Sequence, residues 1–316
     1  MNEETFSNPV VSFGADPWVI AHANQYWYCH AGANNSVFVD RTDHLHHIGK
    51  ATSNEVWRAT ARGPFSKEIW APELHRLDGQ WVIYVAADDG ANRNHRMIAL
   101  VSDHELPNQP FKLLGKVHLP DDRWAIDMTV MTLGDRGRYA VWSGWDGDEN
   151  IAQNIYIAKM NNVTTCTGPR VKISSPQYAW ERAGSGGKDR LPTINEGPQV
   201  LSHGKMTHIV YSAAGSWSDH YCLGRLTLSP NADPMLPKSW VKHTQPVFRK
   251  TDSVFGPGHC SFVMDRGQTT WMVYHSAKRK GSGWDRHISM QPIQWTDDEP
   301  VFGTPIAPGM PITIPK

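Results

Sequence analysis

The chain has 316 residues, of which 31 are basic and 31 acidic, so its formal net charge is zero. Without a basic surface, nothing in the composition points to nucleic acid or an anionic membrane as a partner. The hydrophobic content of 40% includes no apolar run long enough for a transmembrane helix. Long patterns with the 3.6-residue period of amphipathic helices are also absent, which favours an all-β protein.

The beginning of the chain gives two expectations. Residues 1–5 contain neither the basic nor the apolar segment of a signal peptide, which predicts a cytoplasmic protein unless the chain is a processed secreted form. A proline and a glycine interrupt residues 1–15, so we expect an irregular lead-in there. Pro17 disfavours a helical backbone at the preceding residue, and we expect Asp16 to be extended at the start of a strand.

One unit occurs five times: an apolar run led by an ionisable residue, a polar turn, and a second apolar run. The ionisable residues are, in chain order, Asp16, Glu73, Asp127, Glu196 and His259. The second apolar runs cover residues 26–28, 81–86, 139–143, 206–212 and 271–274. A third strand follows at residues 36–40, 96–102, 154–160, 221–227 and 288–295. Each unit therefore predicts a small sheet of three or four strands.

Five such sheets predict a five-bladed β-propeller, in which the blades stack around a channel because none can bury both faces alone. Residues 1–316 then form a single propeller domain. Short strands with polar ends also occur in β-sandwiches and barrels, which are the alternative architectures. In a propeller the first strand of each blade faces the channel, so five ionisable side chains surround one axis. Gathering like charges costs free energy, and the arrangement therefore indicates a functional site.

Further segments bear on this site. Residues 176–190 include a Gly-Ser-Gly-Gly sequence, and we expect a flexible insertion at the rim of the site. Most of the 14 tryptophans are expected between blades, whereas an exposed indole offers a flat apolar face to a sugar ring. The tail from Pro300 is expected to be an extended closing segment. The four cysteines lack CxxC spacing, and we expect them to be buried free thiols. A single disulfide between two of them is the alternative. The four are Cys29, Cys166, Cys222 and Cys260.

Asp16, Asp127 and Glu196 carry the chemistry that this pattern allows, because two carboxylates across a cleft can hydrolyse a glycosidic bond. One carboxyl group is protonated and donates to the leaving oxygen, while the other is ionised and activates water. A third carboxylate raises the pKa of its neighbour. Blades one and four face each other across the channel, so we expect Asp16 as base and Glu196 as acid. A gap of about 6.5–9.5 Å admits the water and gives inversion.

Short motifs lead into the five units. They are Asp-Pro at 16–17, Trp-Ala-Pro-Glu-Leu at 70–74, Ile-Asp at 126–127, Glu-Gly-Pro at 196–198 and Gly-Pro-Gly-His at 256–259. In this order they resemble glycoside hydrolase family 43, over about residues 8–295. The resemblance implies a five-bladed β-propeller that hydrolyses arabinose- or xylose-containing polysaccharides with inversion. It also implies Asp16 as the general base, Glu196 as the general acid, and Asp127 as the residue that orients Glu196 and raises its pKa.

The resemblance further implies binding residues. Trp70 would form one wall of the sugar pocket, and Ser143 and Arg286 would also bind the sugar. A calcium ion, held mostly by water, would lie on the axis near His259. Without the resemblance, His259 is equally an interior histidine with hydrogen bonds, and Arg286 a surface ion pair.

Within the family, the sequences at 88–90, 95–97, 142–145 and 153–156 most resemble exo-acting α-L-arabinofuranosidases of arabinan. This resemblance implies removal of terminal arabinose from arabinan or arabino-oligosaccharides. We expect the protein to be a monomer. A β-xylosidase or an endo-arabinanase with the same carboxylates is the alternative within the family. A propeller that binds glycans without chemistry is the alternative from another class, although a binding module has no use for three acids on an axis.

Overall fold

The computed structural model describes residues 4–315, and in it the chain is a five-bladed β-propeller, which confirms the predicted all-β fold. A short strand, β1 (Thr5–Ser7), precedes the blades. Blade 1 holds β2 (Trp18–His22), β3 (Gln25–Gly32), β4 (Ser36–Thr42) and β5 (Glu55–Arg58). Blade 2 holds β6 (Lys67–Leu77), β7 (Gln80–Asp88), β8 (Arg96–Ser102) and β9 (Lys112–Lys116). Blade 3 holds β10 (Ala125–Thr132), β11 (Arg138–Gly144), β12 (Asn154–Asn162) and β13 (Thr165–Ser174).

Blades 4 and 5 and the C-terminal tail contain the remaining strands. Blade 4 holds β14 (Asn195–His203), β15 (Met206–Ala213), β16 (Cys222–Leu228) and β17 (Trp240–Lys242). Blade 5 holds β18 (Phe255–Met264), β19 (Thr270–Ala277) and β20 (Arg286–Pro292). The tail adds β21 (Gln294–Thr296), β22 (Glu299–Val301) and β23 (Pro311–Thr313). Short 3₁₀ turns lie at Leu45–Lys50, Asn92–Asn94, Gly134–Arg136, Ala179–Arg182 and Pro237–Ser239.

Tight turns set the antiparallel register within the blades. Between β6 and β7, both Asp78 (φ 51°) and Gly79 (φ 82°) have left-handed backbones. Between β2 and β3, Ala23 and Asn24 do the same, with φ of 51° and 57°. Two successive residues with positive φ form the turn that matches the twist of paired strands. The polar turns of the sequence repeat are thus the hairpins of the blades.

Apolar side chains fill the spaces between neighbouring blades in five separate clusters. Each cluster joins two blades, as where Trp27 of blade 1 and Trp81 of blade 2 share one. These two tryptophans, with Trp142 and Trp271, are among the largest fully buried side chains, as expected for indoles between blades. Trp284 is different, since 67% of its surface is exposed.

The two ends of the chain close the ring. β1 pairs with β23 in antiparallel register, so the lead-in contains a strand that we did not expect. The backbone of Val11 pairs with Ile288 of β20, and the Gly14 N–H donates to the Arg286 carbonyl oxygen at 3.2 Å. The lead-in therefore extends blade 5 before entering blade 1. Local sequence could not indicate this pairing, because the partners lie almost a whole chain length apart.

The outer strands of the first four blades are short or polar. β5, β9 and β17 have three to five residues each, and local apolar pattern did not indicate them. The four cysteines are free thiols, and Cys166 is only half-buried. Over residues 4–315, no helix has the length and apolar character needed to cross a membrane.

Candidate active site

Near the start of the first strand, each blade has at least one residue with a left-handed backbone, and five of these residues occupy equivalent places. These five residues are Asp16 (φ 50°), Ala71 (φ 46°), Asp127 (φ 56°), Gly197 (φ 55°) and His259 (φ 42°). In blades 2 to 5 the strand register shifts at this point, which is the mark of a β-bulge. Positive φ in residues other than glycine is uncommon and concentrates at functional sites. The expected extended backbone at Asp16 is therefore wrong.

A cleft lies at the end of the propeller where the first strands of the blades begin. It has a volume of about 580 Å³ and is lined by all five blades. Asp16, Asp127 and Glu196 all line it, so the structure brings the three predicted carboxylates together. Glu73, the acid of the second blade, is buried elsewhere and accepts a hydrogen bond from Gln199 Nε2 at 2.5 Å. It is a structural residue.

Asp16 is surrounded by positively charged or hydrogen-bonding groups. The Nδ1 atoms of His259 and His275 each lie 3.2 Å from its Oδ1. Burial raises the pKa of Asp16, but His259, His275 and Arg286 outweigh burial and hold the pKa well below its usual range. Burial and Arg286 lower the pKa of His275 to about 3, so this imidazole is uncharged at neutral pH. Asp16 is therefore ionised at neutral pH.

Glu196 and Asp127 have the opposite character. Burial raises the pKa of Glu196 to about 7, against a hydrogen bond from the Tyr221 hydroxyl to Oε1 at 2.8 Å, and the charge of Asp16 raises it further. Burial raises the pKa of Asp127 to about 8, and Glu196 contributes to that rise. Burial and the charge of Asp16 are the causes that raise the pKa of Glu196, and Asp127 is not among them. Asp127 instead acts on geometry, because its Oδ2 accepts the Gly197 N–H at 2.9 Å.

Gly197 follows the candidate acid and allows this close packing. A β-carbon at this position would stand 3.1 Å from the His259 ring, and the backbone is left-handed. Both conditions favour glycine. The Glu-Gly-Pro motif therefore places a carboxyl group in the cleft and a backbone N–H on Asp127.

Of the predicted binding residues, Trp70 and Arg286 line the cleft. Trp70 stacks on His95 with ring centroids 4.0 Å apart. Arg286 is mostly buried, and its Nη2 donates to the Ser216 carbonyl oxygen at 2.6 Å. Ser143 corrects our expectation, because it is fully buried and its hydroxyl donates to the Asn195 carbonyl oxygen at 2.9 Å. It supports the residue before Glu196 from behind and has no surface for a sugar.

His259 lies in the cleft, but its surroundings do not form a calcium site from protein ligands. In the described part of the chain, no three His, Cys, Asp or Glu side chains come together as ion ligands. Calcium takes six to eight oxygen ligands, and a lone imidazole does not meet that preference. The ion expected beside His259 stays a prediction, and no step below passes through it.

Three further residues of the site escaped the sequence interpretation. Tyr221 hydrogen-bonds Glu196, and His275 contacts Asp16. Glu181 is fully buried within residues 176–190 and accepts a hydrogen bond from Asn195 Nδ2 at 3.0 Å. The expected insertion is therefore anchored at this point. His275 directly follows the second apolar run of the fifth unit, and this position was a signal that the sequence offered. No local pattern marked Glu181.

Comparisons with known proteins agree with this geometry. The family model described as glycosyl hydrolases family 43 matches residues 6–301. An extracellular exo-α-(1→5)-L-arabinofuranosidase of Streptomyces avermitilis is 32% identical over 97% of this chain and 65% of its own. One of the same name from Streptomyces chartreusis is 32% identical over 87% of this chain and 83% of its own. The crystal structure of a Lactobacillus brevis α-L-arabinofuranosidase is 31% identical, with a TM-score of 0.88 over 96% of this chain and 98% of its own.

The chain spans slightly less than two thirds of the length of the Streptomyces avermitilis relative. The relatives named extracellular give no support to the expected cytoplasmic location. The family itself follows from the match over residues 6–301 together with the propeller and its cleft of three carboxylates. This chain belongs to glycosyl hydrolase family 43.

Proposed function

We propose that this protein is an inverting α-L-arabinofuranosidase that releases terminal arabinose from arabinan or arabino-oligosaccharides. The observation that carries the proposal is the difference in protonation between two carboxyl groups of one cleft. Asp16 has a pKa below its usual range, whereas the pKa of Glu196 is raised to about 7. At mildly acidic pH Asp16 is ionised and can accept a proton, whereas Glu196 is protonated and can donate one. Glycoside hydrolysis requires one carboxyl group in each of these states.

The proposed reaction is a single displacement. Asp16 takes a proton from a water molecule, and the water oxygen forms a bond to the anomeric carbon. The bond from that carbon to the glycosidic oxygen breaks as Glu196 gives its proton to this oxygen. Attack from the side opposite the leaving group inverts the anomeric centre.

Other residues of the cleft have supporting roles in this proposal. Asp127 holds the Gly197 N–H and thereby fixes the backbone that carries Glu196. Arg286 is held by the Ser216 carbonyl oxygen, which leaves other guanidinium N–H groups for sugar hydroxyls. Trp70 offers indole surface to the apolar side of a sugar ring.

The choice of arabinose rests on the relatives. Proteins named α-L-arabinofuranosidase cover nearly all of this chain at 31–32% identity, in sequence and in structure. Solved structures named xylanase, xylosidase or endo-arabinase are 18% identical or less and support the fold alone. Arabinofuranosides are therefore the first substrates to test.

The test is product analysis on debranched arabinan, arabinoxylan and xylo-oligosaccharides, together with nitrophenyl α-L-arabinofuranoside and β-D-xylopyranoside. We expect arabinose from the arabinose-containing substrates, and NMR of early products should show the anomer inverted from that of the substrate. Release of xylose alone would overturn the substrate, and retention of the anomeric configuration would overturn the mechanism.

A further inference from the structure

A second cavity adjoins the catalytic cleft. Its volume is about 550 Å³, and we call it the second lobe. Asp16, Trp70, Trp284 and Arg286 line both cavities, so the two lie side by side with these residues between them. Small-molecule sites typically measure about 300–1,000 Å³, and each cavity alone falls in that range. One pentose ring at the reaction centre does not fill both.

The second lobe lies over blade 1 and is built from the lead-in and from β3, β4 and β6. Its walls combine aromatic surface with polar groups. Phe13 is 73% exposed at its rim, near the exposed Trp284. Inside, the Asp40 carboxylate faces His30 Nε2 at 3.0 Å and accepts the Asn54 N–H at 3.2 Å. A carboxylate accepts about four hydrogen bonds, so Asp40 has capacity left for a hydroxyl group.

Tyr28 supplies an unused hydrogen-bonding group in the lobe. Its side chain is 4% exposed and lines the cavity. Within residues 4–315 its hydroxyl has no hydrogen-bond partner, although it lies beside Asp16 and Asp40 closely enough for both charges to act on it. A tyrosine hydroxyl at a cavity wall can both donate a hydrogen bond to a ligand hydroxyl and accept one from it. Aromatic faces with a few hydroxyl-binding groups suit a sugar.

The position of the acid decides which part of the substrate reaches the lobe. Glu196 lines the catalytic cleft and is absent from the walls of the second lobe, while Asp16 belongs to both. The acid protonates the leaving oxygen, so the leaving group departs on the side of Glu196. The lobe begins on the side of the base. A group that enters it is therefore attached to the sugar whose bond is cleaved and not to the leaving group.

We propose that the second lobe binds another arabinofuranosyl unit attached to the sugar at the reaction centre, so that the protein releases arabinobiose as well as arabinose. This inference rests on the proposed function and extends its substrate by one unit on the non-reducing side. The hydrolytic step is unchanged, because one water is added across one glycosidic bond in either case.

The experiment uses α-1,5-linked arabinotetraose whose reducing end has been converted to the alditol. Release of two units gives arabinobiose and arabinobiitol, whereas release of one gives arabinose and arabinotriitol. We expect both pairs among the initial products. Arabinose and arabinotriitol alone would overturn the second lobe as a sugar site and leave the proposed function standing. No hydrolysis of this substrate or of nitrophenyl α-L-arabinofuranoside would overturn both.

Variants of the lobe test its residues through a ratio that does not depend on the amount of folded protein. Tyr28→Phe and Phe13→Ala should each lower the initial ratio of arabinobiose to arabinose by about 3-fold to 10-fold, the worth of one hydrogen bond or aromatic contact. Tyr139→Phe and Val241→Ala are the matched controls, because these side chains lie outside both cavities. An unchanged ratio in the lobe variants, or an equal fall in the controls, would overturn the proposal.

Discussion

At the scale of single residues, Asp16 and Glu196 differ in their neighbours although both line one cleft. Asp16 faces His259 and Arg286, whereas Glu196 faces the hydroxyl of Tyr221 and the charge of Asp16. Positive neighbours stabilise the ionised form, and burial beside negative charge favours the protonated form. The neighbours of each carboxyl group therefore lower the pKa of Asp16 and raise that of Glu196.

The first prediction concerns the roles of these two residues. Asp16→Asn and Glu196→Gln should each lower kcat on arabino-oligosaccharides by about 10²–10⁴-fold, because each removes a proton transfer. On a nitrophenyl arabinofuranoside, Glu196→Gln should lose less activity than Asp16→Asn, since nitrophenolate departs with little protonation. Steady-state kinetics on both substrates provide the measurement. Equal losses on the aryl glycoside would contradict the assignment of acid and base.

The second prediction concerns pH. In the proposed mechanism Glu196 acts in its protonated form, so activity should be present below its pKa of about 7 and be lost as pH rises through that value. The fall in activity on the alkaline side of the pH profile reports the joint titration of Glu196 and Asp127, not of one residue alone. Tyr221→Phe removes a hydrogen bond that lowers the pKa of Glu196, so the alkaline limb of kcat/KM should move to higher pH.

The control for Tyr221→Phe is Tyr274→Phe, a buried tyrosine of β19 that points toward Gln291. Its pH profile should match that of the unchanged protein. Asp16 is ionised far below neutral pH, so the acid limb should stay in place in both variants. An alkaline limb that moves to lower pH in Tyr221→Phe would reverse the argued direction of the hydrogen bond.

At the scale of elements, the sequence predicted the inner strands well and the connections between distant elements poorly. Strands β8 and β15 fall within a residue of their expected limits, because apolar runs and turn residues are local signals. The left-handed backbone of Asp127 and Asp16 was not predicted. Both residues bond to other blades, Asp16 to His275 and Asp127 to Gly197, and local sequence does not show such contacts. Glu181 was missed for the same reason: its partners Asn195 and Lys242 come from distant strands.

The third prediction concerns Glu181 as the anchor of the segment before β14. Its carboxylate lies 2.6 Å from Lys242 Nζ and accepts the Asn195 amide, one residue before Glu196. Glu181→Gln leaves the ammonium group of Lys242 without its partner, and we expect a loss of about 3 kcal/mol in the free energy of unfolding, measured by urea denaturation. A displaced Glu196 should also lower kcat by about 10- to 100-fold.

A double variant separates these two effects. Glu181→Gln with Lys242→Met removes the unpaired charge, so stability should largely return. The kcat value should stay low, because the carboxylate that holds Asn195 is still absent. Recovery of kcat together with stability would mean that Glu181 only stabilises the fold and does not position the acid.

At the scale of the whole molecule, five apolar interfaces and one closure hold the ring together. Each cluster joins neighbouring blades, so the site between the blades depends on all five. The closure between blades 5 and 1 is the one that the lead-in and the tail complete, through β1 and β23. Arg286 opens β20, the strand on which the lead-in lies. The lead-in that closes the ring therefore also packs against the strand that positions Arg286 in the cleft.

The fourth prediction tests the closure at Asn8. This buried side chain donates from Nδ2 to the Met290 carbonyl oxygen at 3.0 Å and accepts the Met290 N–H at 2.9 Å, which ties the lead-in to β20. Asn8→Ala leaves both backbone groups buried and unpaired, so the free energy of unfolding should fall by about 3 kcal/mol. Asn162→Ala is the matched control, because Asn162 is exposed and its Oδ1 accepts only the local Thr164 N–H and hydroxyl. Urea denaturation should show a loss below about 1 kcal/mol for the control. Equal losses in the two variants would show that the lead-in contributes no more than an ordinary surface turn.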